Sequence, residues 1–80
     1  MSNLDLTGDR TSPETLLMLG IACASSADPD RVSAHKWFNL AATRGNTEAV
    51  RCRQELAFEM TPAEVMAAHR AAREWLPKPP

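Results

Sequence analysis

The sequence has no tyrosine, few aromatic residues of any kind, and only two cysteines, Cys23 and Cys52. Two cysteines are too few for a disulfide scaffold, so we expect free thiols that pack as small hydrophobic side chains. No apolar run approaches the roughly 20 residues that a transmembrane helix needs. Because the first residues also lack the basic start and apolar stretch of a signal peptide, we expect a cytoplasmic protein.

Neither sign of charge is in excess, since 9 Lys and Arg residues stand against 10 Asp and Glu residues. Nucleic-acid and membrane-surface binders need an excess of basic groups, so this balance argues against both kinds of partner. A DNA-reading helix in the last third of the chain is a third hypothesis, but Glu64 and Glu74 dilute its Arg70 and Arg73. Such a mixture is typical of a solvated helix face.

The residues that are abundant favour helix. Alanine, leucine, glutamate and arginine are common, valine and isoleucine are scarce, and no segment alternates as a strand does. Proline and glycine divide the chain into four segments with helical periodicity, which predicts an all-α fold of four antiparallel helices. We expect a flexible segment over 1–11, the helical domain over 12–76 and a proline-rich tail over 77–80.

Capping signals set the boundaries of the four predicted helices, A to D. Helix A opens at Ser12-Pro13 and helix B at Asp30, because serine and aspartate are good N-caps and proline fits the first helical position. Helix B ends at Gly45, so helix C starts at Asn46 or Thr47 and must fold back antiparallel. Helix D opens with a capping box in Thr61-Pro62-Ala63-Glu64.

Each helix has an apolar face at spacings of three and four residues. The faces are Leu16, Leu19, Gly20 and Cys23 in helix A; Ala34, Trp37, Phe38, Ala41 and Ala42 in B; Ala49, Cys52, Leu56 and Met60 in C; and Val65, Ala68, Ala72, Trp75 and Leu76 in D. We expect Trp37 in the core. Phe38 is compatible with the core or with an exposed position that anchors a partner.

The region from helix A to the end of helix B resembles a Sel1-like repeat, a bacterial and eukaryotic relative of the tetratricopeptide repeat. The residues that carry the resemblance are Leu19, Gly20, Asp30, Ala34, Trp37, Ala41, Ala42 and Gly45. Two features depart from the family pattern: Cys23 replaces an aromatic residue, and the loop before Asp30 is short. The resemblance implies helix-turn-helix pairs stacked as a fragment of a superhelix, with helices C and D as a degenerate second unit.

The same resemblance implies a protein-interaction function. Such modules bind a protein or peptide in a groove lined mainly by the first helix of each pair, here helices A and C. The expected groove residues are Met18, Ala22, Arg51, Gln54 and Glu55. Because at most two repeats are present, helix D should cap the core; if it does not, a homodimer is the alternative. A self-associating or accessory subunit of a larger helical assembly is therefore the second hypothesis.

Residues with catalytic or metal-binding chemistry are sparse and isolated. Cys23, His35, Cys52 and His69 fall one to each helix, whereas structural zinc sites bring ligands in closely spaced pairs. We expect both histidines to be partly exposed. Cys52 has no glycine-rich oxyanion loop nearby, and the three glycines are too scattered to cradle phosphate. We therefore expect no enzyme activity, no metal and no cofactor.

Overall fold

A computed structural model describes residues 11–76, which form four helices. They are α1 (Pro13–Ser25), α2 (Arg31–Thr43), α3 (Thr47–Ala57) and α4 (Pro62–Trp75). No strand occurs in this described range, so the all-α prediction is confirmed. None of the four helices has the length and apolar character that crossing a membrane requires. The predicted tail 77–80 and residues 1–10 of the predicted flexible segment lie outside the described residues.

Every helix begins with a side chain that caps its first turn. The capping side chain accepts a hydrogen bond from a backbone N–H three residues later, which otherwise would have no partner inside the helix. The four caps are Ser12, Asp30, Asn46 and Thr61. At Thr61 the bond is reciprocal, since the Glu64 carboxylate accepts from the Thr61 backbone N–H at 2.8 Å. The predicted helix starts are confirmed, and Asn46 is the residue that caps α3.

Helix α2 is the centre of the fold. The other three helices all pack against it, while their contacts with one another are marginal or absent. Phe38 and Leu40 lie two residues apart, about 200° around the helix, and both are buried. A helix that is buried on opposite sides must be enclosed. Burial of α2 therefore determines where α1, α3 and α4 can lie.

Side-chain contacts connect α2 with α3 and with the turn that follows α3. In α3, the Arg53 guanidinium donates to the Asn39 side-chain oxygen at 2.6 Å, and Arg31 pairs with Glu59 beyond its end. By contrast, α3 and α4 contact each other only marginally. The stacked repeat pairs that the resemblance implies thus remain a prediction. The prediction that Met60 lies on the apolar face of helix C was wrong, because α3 ends at Ala57 and Met60 lies in the following turn.

Helix α1 approaches α2 closely because Gly20 has no side chain. A Cβ atom at Gly20 would stand 2.5 Å from the Cδ1 and Cε1 atoms of the Phe38 ring. Phe38 is only 3% exposed and belongs to the core, which removes its role as a partner anchor. Trp37 is half-buried and packs against the buried cluster that contains Leu40 and Ala41. Its ring meets that of Trp75 edge to face at 5.5 Å.

The packed part of the chain includes Thr11, which we had placed in the flexible segment. Thr11 is buried, and its carbonyl oxygen accepts a hydrogen bond of 2.8 Å from the Arg44 guanidinium. Arg44 follows α2 and precedes Gly45, whose φ of 99° turns the chain towards α3. Glycine adopts this left-handed conformation without the strain that a Cβ atom would cause. The end of α2 therefore also holds the start of α1.

Replacing Gly20 with alanine should destabilise the domain by about 1–3 kcal/mol, the usual cost of forcing an extra methyl group into a packed core. At an open helical position the same change stabilises by roughly 0.5–1 kcal/mol, so the sign is diagnostic. Urea unfolding of both chains measures the difference in the free energy of unfolding. In a Phe38→Leu background the ring is gone and the penalty should shrink. A Gly20→Ala chain more stable than the wild type would contradict the close contact.

Candidate interaction surface

The five residues predicted to line a groove are all exposed, but the structure does not bring them together. Met18 and Ala22 lie on α1, and Arg51, Gln54 and Glu55 lie on α3. Both helices pack against α2, while contact between the two of them is marginal or absent. A groove shared by α1 and α3 is therefore not formed by packing of these two helices. The predicted set separates into two surfaces of different chemistry.

The α3 surface is charged and internally paired. The Arg51 guanidinium contacts the Glu48 carboxylate one turn before it, and it also bonds Glu55 at 3.2 Å. Glu48 first, and then Glu55, raise the pKa of Arg51. All three side chains are more than half exposed, and ion pairs of this kind add little to stability. Because these charges are satisfied within one helix and well hydrated, this surface offers little to a docking partner.

The α1 surface is apolar and lacks such pairing. Met18 is 68% exposed and Ile21 is 44% exposed, and Ala22 lies beside them in the exposed class. Spacings of three and four residues place these side chains on one side of the helix. We call Met18, Ile21 and Ala22 the α1 outer face. No charged residue occurs from Thr15 to Ala27, so Glu14 in the first turn is the one charged residue of α1.

The sequence analysis identified two of the three residues of the α1 outer face and missed Ile21. A usable signal was present: Ile21 follows Met18 by three residues and lies outside the Leu16, Leu19, Gly20 stripe. Two other large apolar side chains were also missed, namely Phe58, which is 89% exposed, and Met66, which is 66% exposed. They lie on separate elements, at the end of α3 and in α4. Single exposed apolar residues of this kind are common on protein surfaces.

The two histidines lie together between α2 and α4, with ring centroids 5.4 Å apart. His69 is exposed, whereas His35 is only 2% exposed, so the expectation that His35 is partly exposed was wrong. The Nδ1 atom of His35 is buried and has no hydrogen-bond partner among residues 11–76. Burial lowers the pKa of His35, and the nearby His69 and the positive charge of Arg53 lower it further. His35 is therefore biased towards the neutral imidazole.

The other groups considered for chemistry are two cysteines and two histidines. The histidine rings of residues 35 and 69 contact each other, and Cys23 and Cys52 are free, partly buried thiols. Within residues 11–76, no three His, Cys, Asp or Glu side chains group so as to hold a metal ion. Desolvation, and then the charge of Glu48, raise the pKa of the Cys52 thiol. Its sulfur is thus biased towards the protonated form, which is the poor nucleophile.

Acidification should weaken the fold through His35. Because its pKa is lowered in the folded chain, the unfolded chain binds the proton more readily. The stability that neutral His35 gives the folded chain is fully present above the ordinary histidine pKa of about 6.5. It is lost as the pH falls below that value. Urea unfolding between pH 8 and pH 5 would measure the loss. A His35→Gln chain should lose less stability over that interval; an unchanged pH dependence would show that His35 is not the cause.

Comparisons with other proteins leave the family open. The chain matches no family model, no curated protein and no solved structure. The resemblance to a Sel1-like repeat therefore remains a prediction based on the residues of helices A and B.

Proposed function

We propose that this chain is a small helical protein-interaction module of Sel1-like or tetratricopeptide-like type, which binds a protein partner through the α1 outer face. It makes and breaks no covalent bond. One observation carries the proposal: α1 is apolar nearly all round, yet among the helices of residues 11–76 it packs extensively only against α2. A helix of that composition is normally covered on every side.

Hydrophobic burial would provide the binding energy. Full burial of a methionine or isoleucine side chain contributes about 1.5–3 kcal/mol, and here only two such side chains are available. The polar margin is formed by Glu14 and Ser25, which are exposed at the two ends of the helix. A patch of this size suits weak or transient association, unless the partner also contacts neighbouring surfaces.

The core supports this function by being rigid where α1 is attached. Leu16 is fully buried in the cluster that also holds Leu40 and Ala41 of α2. On the opposite side of α1, Met18 is therefore presented from a fixed backbone. A partner that meets a fixed backbone loses less conformational freedom on binding than one that meets a mobile loop.

Substitution of Met18 by glutamate should abolish partner binding without unfolding the chain. The change places a charge at the centre of the α1 outer face, and any contact there would have to desolvate it. Affinity capture from cells that express the chain natively, with the captured proteins quantified, provides the measurement. A true partner is retained by the wild-type chain and lost from the Met18→Glu chain.

Met66→Glu is the matched control, because it replaces the same residue type at nearly the same exposure, 66% against 68%, on a different helix. The partner should be retained by this variant. If no protein depends on Met18, or if both variants lose the same proteins, the α1 outer face is not the binding surface. Circular dichroism and urea unfolding would establish that each variant is folded.

A further inference from the structure

The α1 outer face has the properties of a surface that pairs with itself. In a twofold contact between identical chains, every charge near the axis meets its own copy or a close neighbour of it. Such a contact would be unfavourable on the other helices of this protein, where charged residues of both signs are interspersed. It is tolerated on α1, because no charged residue lies between Glu14 and Asp28. The net charge of −1 also leaves little repulsion between two whole chains.

The spacing of the exposed residues matches a helix–helix seam. Glu14, Met18, Ile21 and Ser25 follow one another at intervals of four, three and four residues, and all four are exposed. Intervals of this kind keep one line of side chains facing a partner helix. Ala22 lies beside the seam, where a small side chain allows two helices to approach closely.

Charge selects the direction of the pairing. In a parallel pair, Glu14 of one chain would face Glu14 of the other. In an antiparallel pair centred between Leu19 and Gly20, Glu14 faces Ser25 of the second copy, and Met18 faces its Ile21. Antiparallel pairing also brings the positive end of each helix dipole to the negative end of the other.

The two ends of α1 carry complementary groups in that arrangement. Arg44 is tied to the carbonyl of Thr11, which places its guanidinium at the N-terminal end of α1. Asp28 and Asp30 follow the C-terminal end. Antiparallel pairing sets the end that holds Arg44 and Glu14 towards the acidic end of the other chain, whereas parallel pairing sets Glu14 and both aspartates against their own copies.

We propose that the occupant of the α1 outer face is α1 of a second copy of this chain, packed antiparallel about a twofold axis. The inference rests on the proposed function, since it names the partner of the same surface. With 13 residues, α1 is about 20 Å long, so the contact is smaller than the roughly 1,200 Å² of a stable interface. The dimer is therefore weak, with a dissociation constant on the order of 0.1 mM.

Sedimentation equilibrium of the purified full chain tests the pairing at roughly 10 μM to 1 mM, a range that brackets such a constant. The average mass of the wild-type chain should rise from monomer towards dimer. The Met66→Glu chain should behave in the same way, while the Met18→Glu chain should associate at least about tenfold more weakly, because two desolvated charges oppose it. A wild-type chain that stays monomeric throughout, or equal association of the Met18→Glu chain, overturns the proposal.

Mixing two charged variants tests the direction. Chains carrying Met18→Glu and Ile21→Lys should each associate poorly alone and recover dimerisation when mixed, because antiparallel pairing places these two positions opposite each other. Recovery in a mixture of Met18→Glu and Met18→Lys chains, but not in the first mixture, would indicate parallel pairing and overturn the assignment. If the wild type is monomeric while capture from cells still depends on Met18, the second copy is excluded and the proposed function stands; if capture also fails, both are wrong.

Discussion

The fold depends on one constraint, the enclosure of α2. Its buried residues point in nearly opposite directions, with Phe38 on one side and Leu40 on the other. A single neighbouring helix cannot cover both, so α1, α3 and α4 must surround it. The core between them is built largely from alanines, with Ala34, Ala41 and Ala49 fully buried. Small side chains allow close helix approach but bury little area each, as expected for a chain whose core is thin for its size.

This arrangement leaves each outer helix with a free side, and the chemistry of those sides differs. On α3 the free side holds Arg51 between two carboxylates, a surface that water solvates well. On α1 it holds Met18 and Ile21, which water solvates poorly. The functional argument follows from that contrast. A chain with no assembled reactive group among its described residues still carries one helix face with a thermodynamic reason to be covered.

Local signals in the sequence were sufficient to predict the elements of the fold. The caps Ser12, Asp30 and Thr61 and the turn at Gly45 act within three or four residues, so they can be read without knowing the packing. The closeness permitted by Gly20 was also predictable from its small size. Its actual partner, the ring of Phe38, was not, because periodicity alone does not determine the rotation of one helix against another.

The features that were missed depend on contacts between distant segments. His35 is buried where α4 brings His69 against it. The residues next to His35 in the sequence do not distinguish this buried position from a solvated one. The expected groove depends on distant segments too, since Arg51 and Met18 share a surface only if α1 and α3 pack together. Two of the three residues of the α1 outer face could be predicted from the sequence, as Met18 and Ala22 stand outside the inner stripe of α1. Ile21 would have followed from applying the same spacing once more.

Native-state hydrogen exchange tests the central position of α2 most directly, because amides in the best-enclosed element exchange only through global unfolding. The account predicts that the amides around Phe38 and Ala41 exchange last, at the rate set by the free energy of unfolding. Amides of α1 and α4 should exchange earlier through local opening. If amides in α1, α3 or α4 outlast those of α2, then α2 is not the element on which the fold depends.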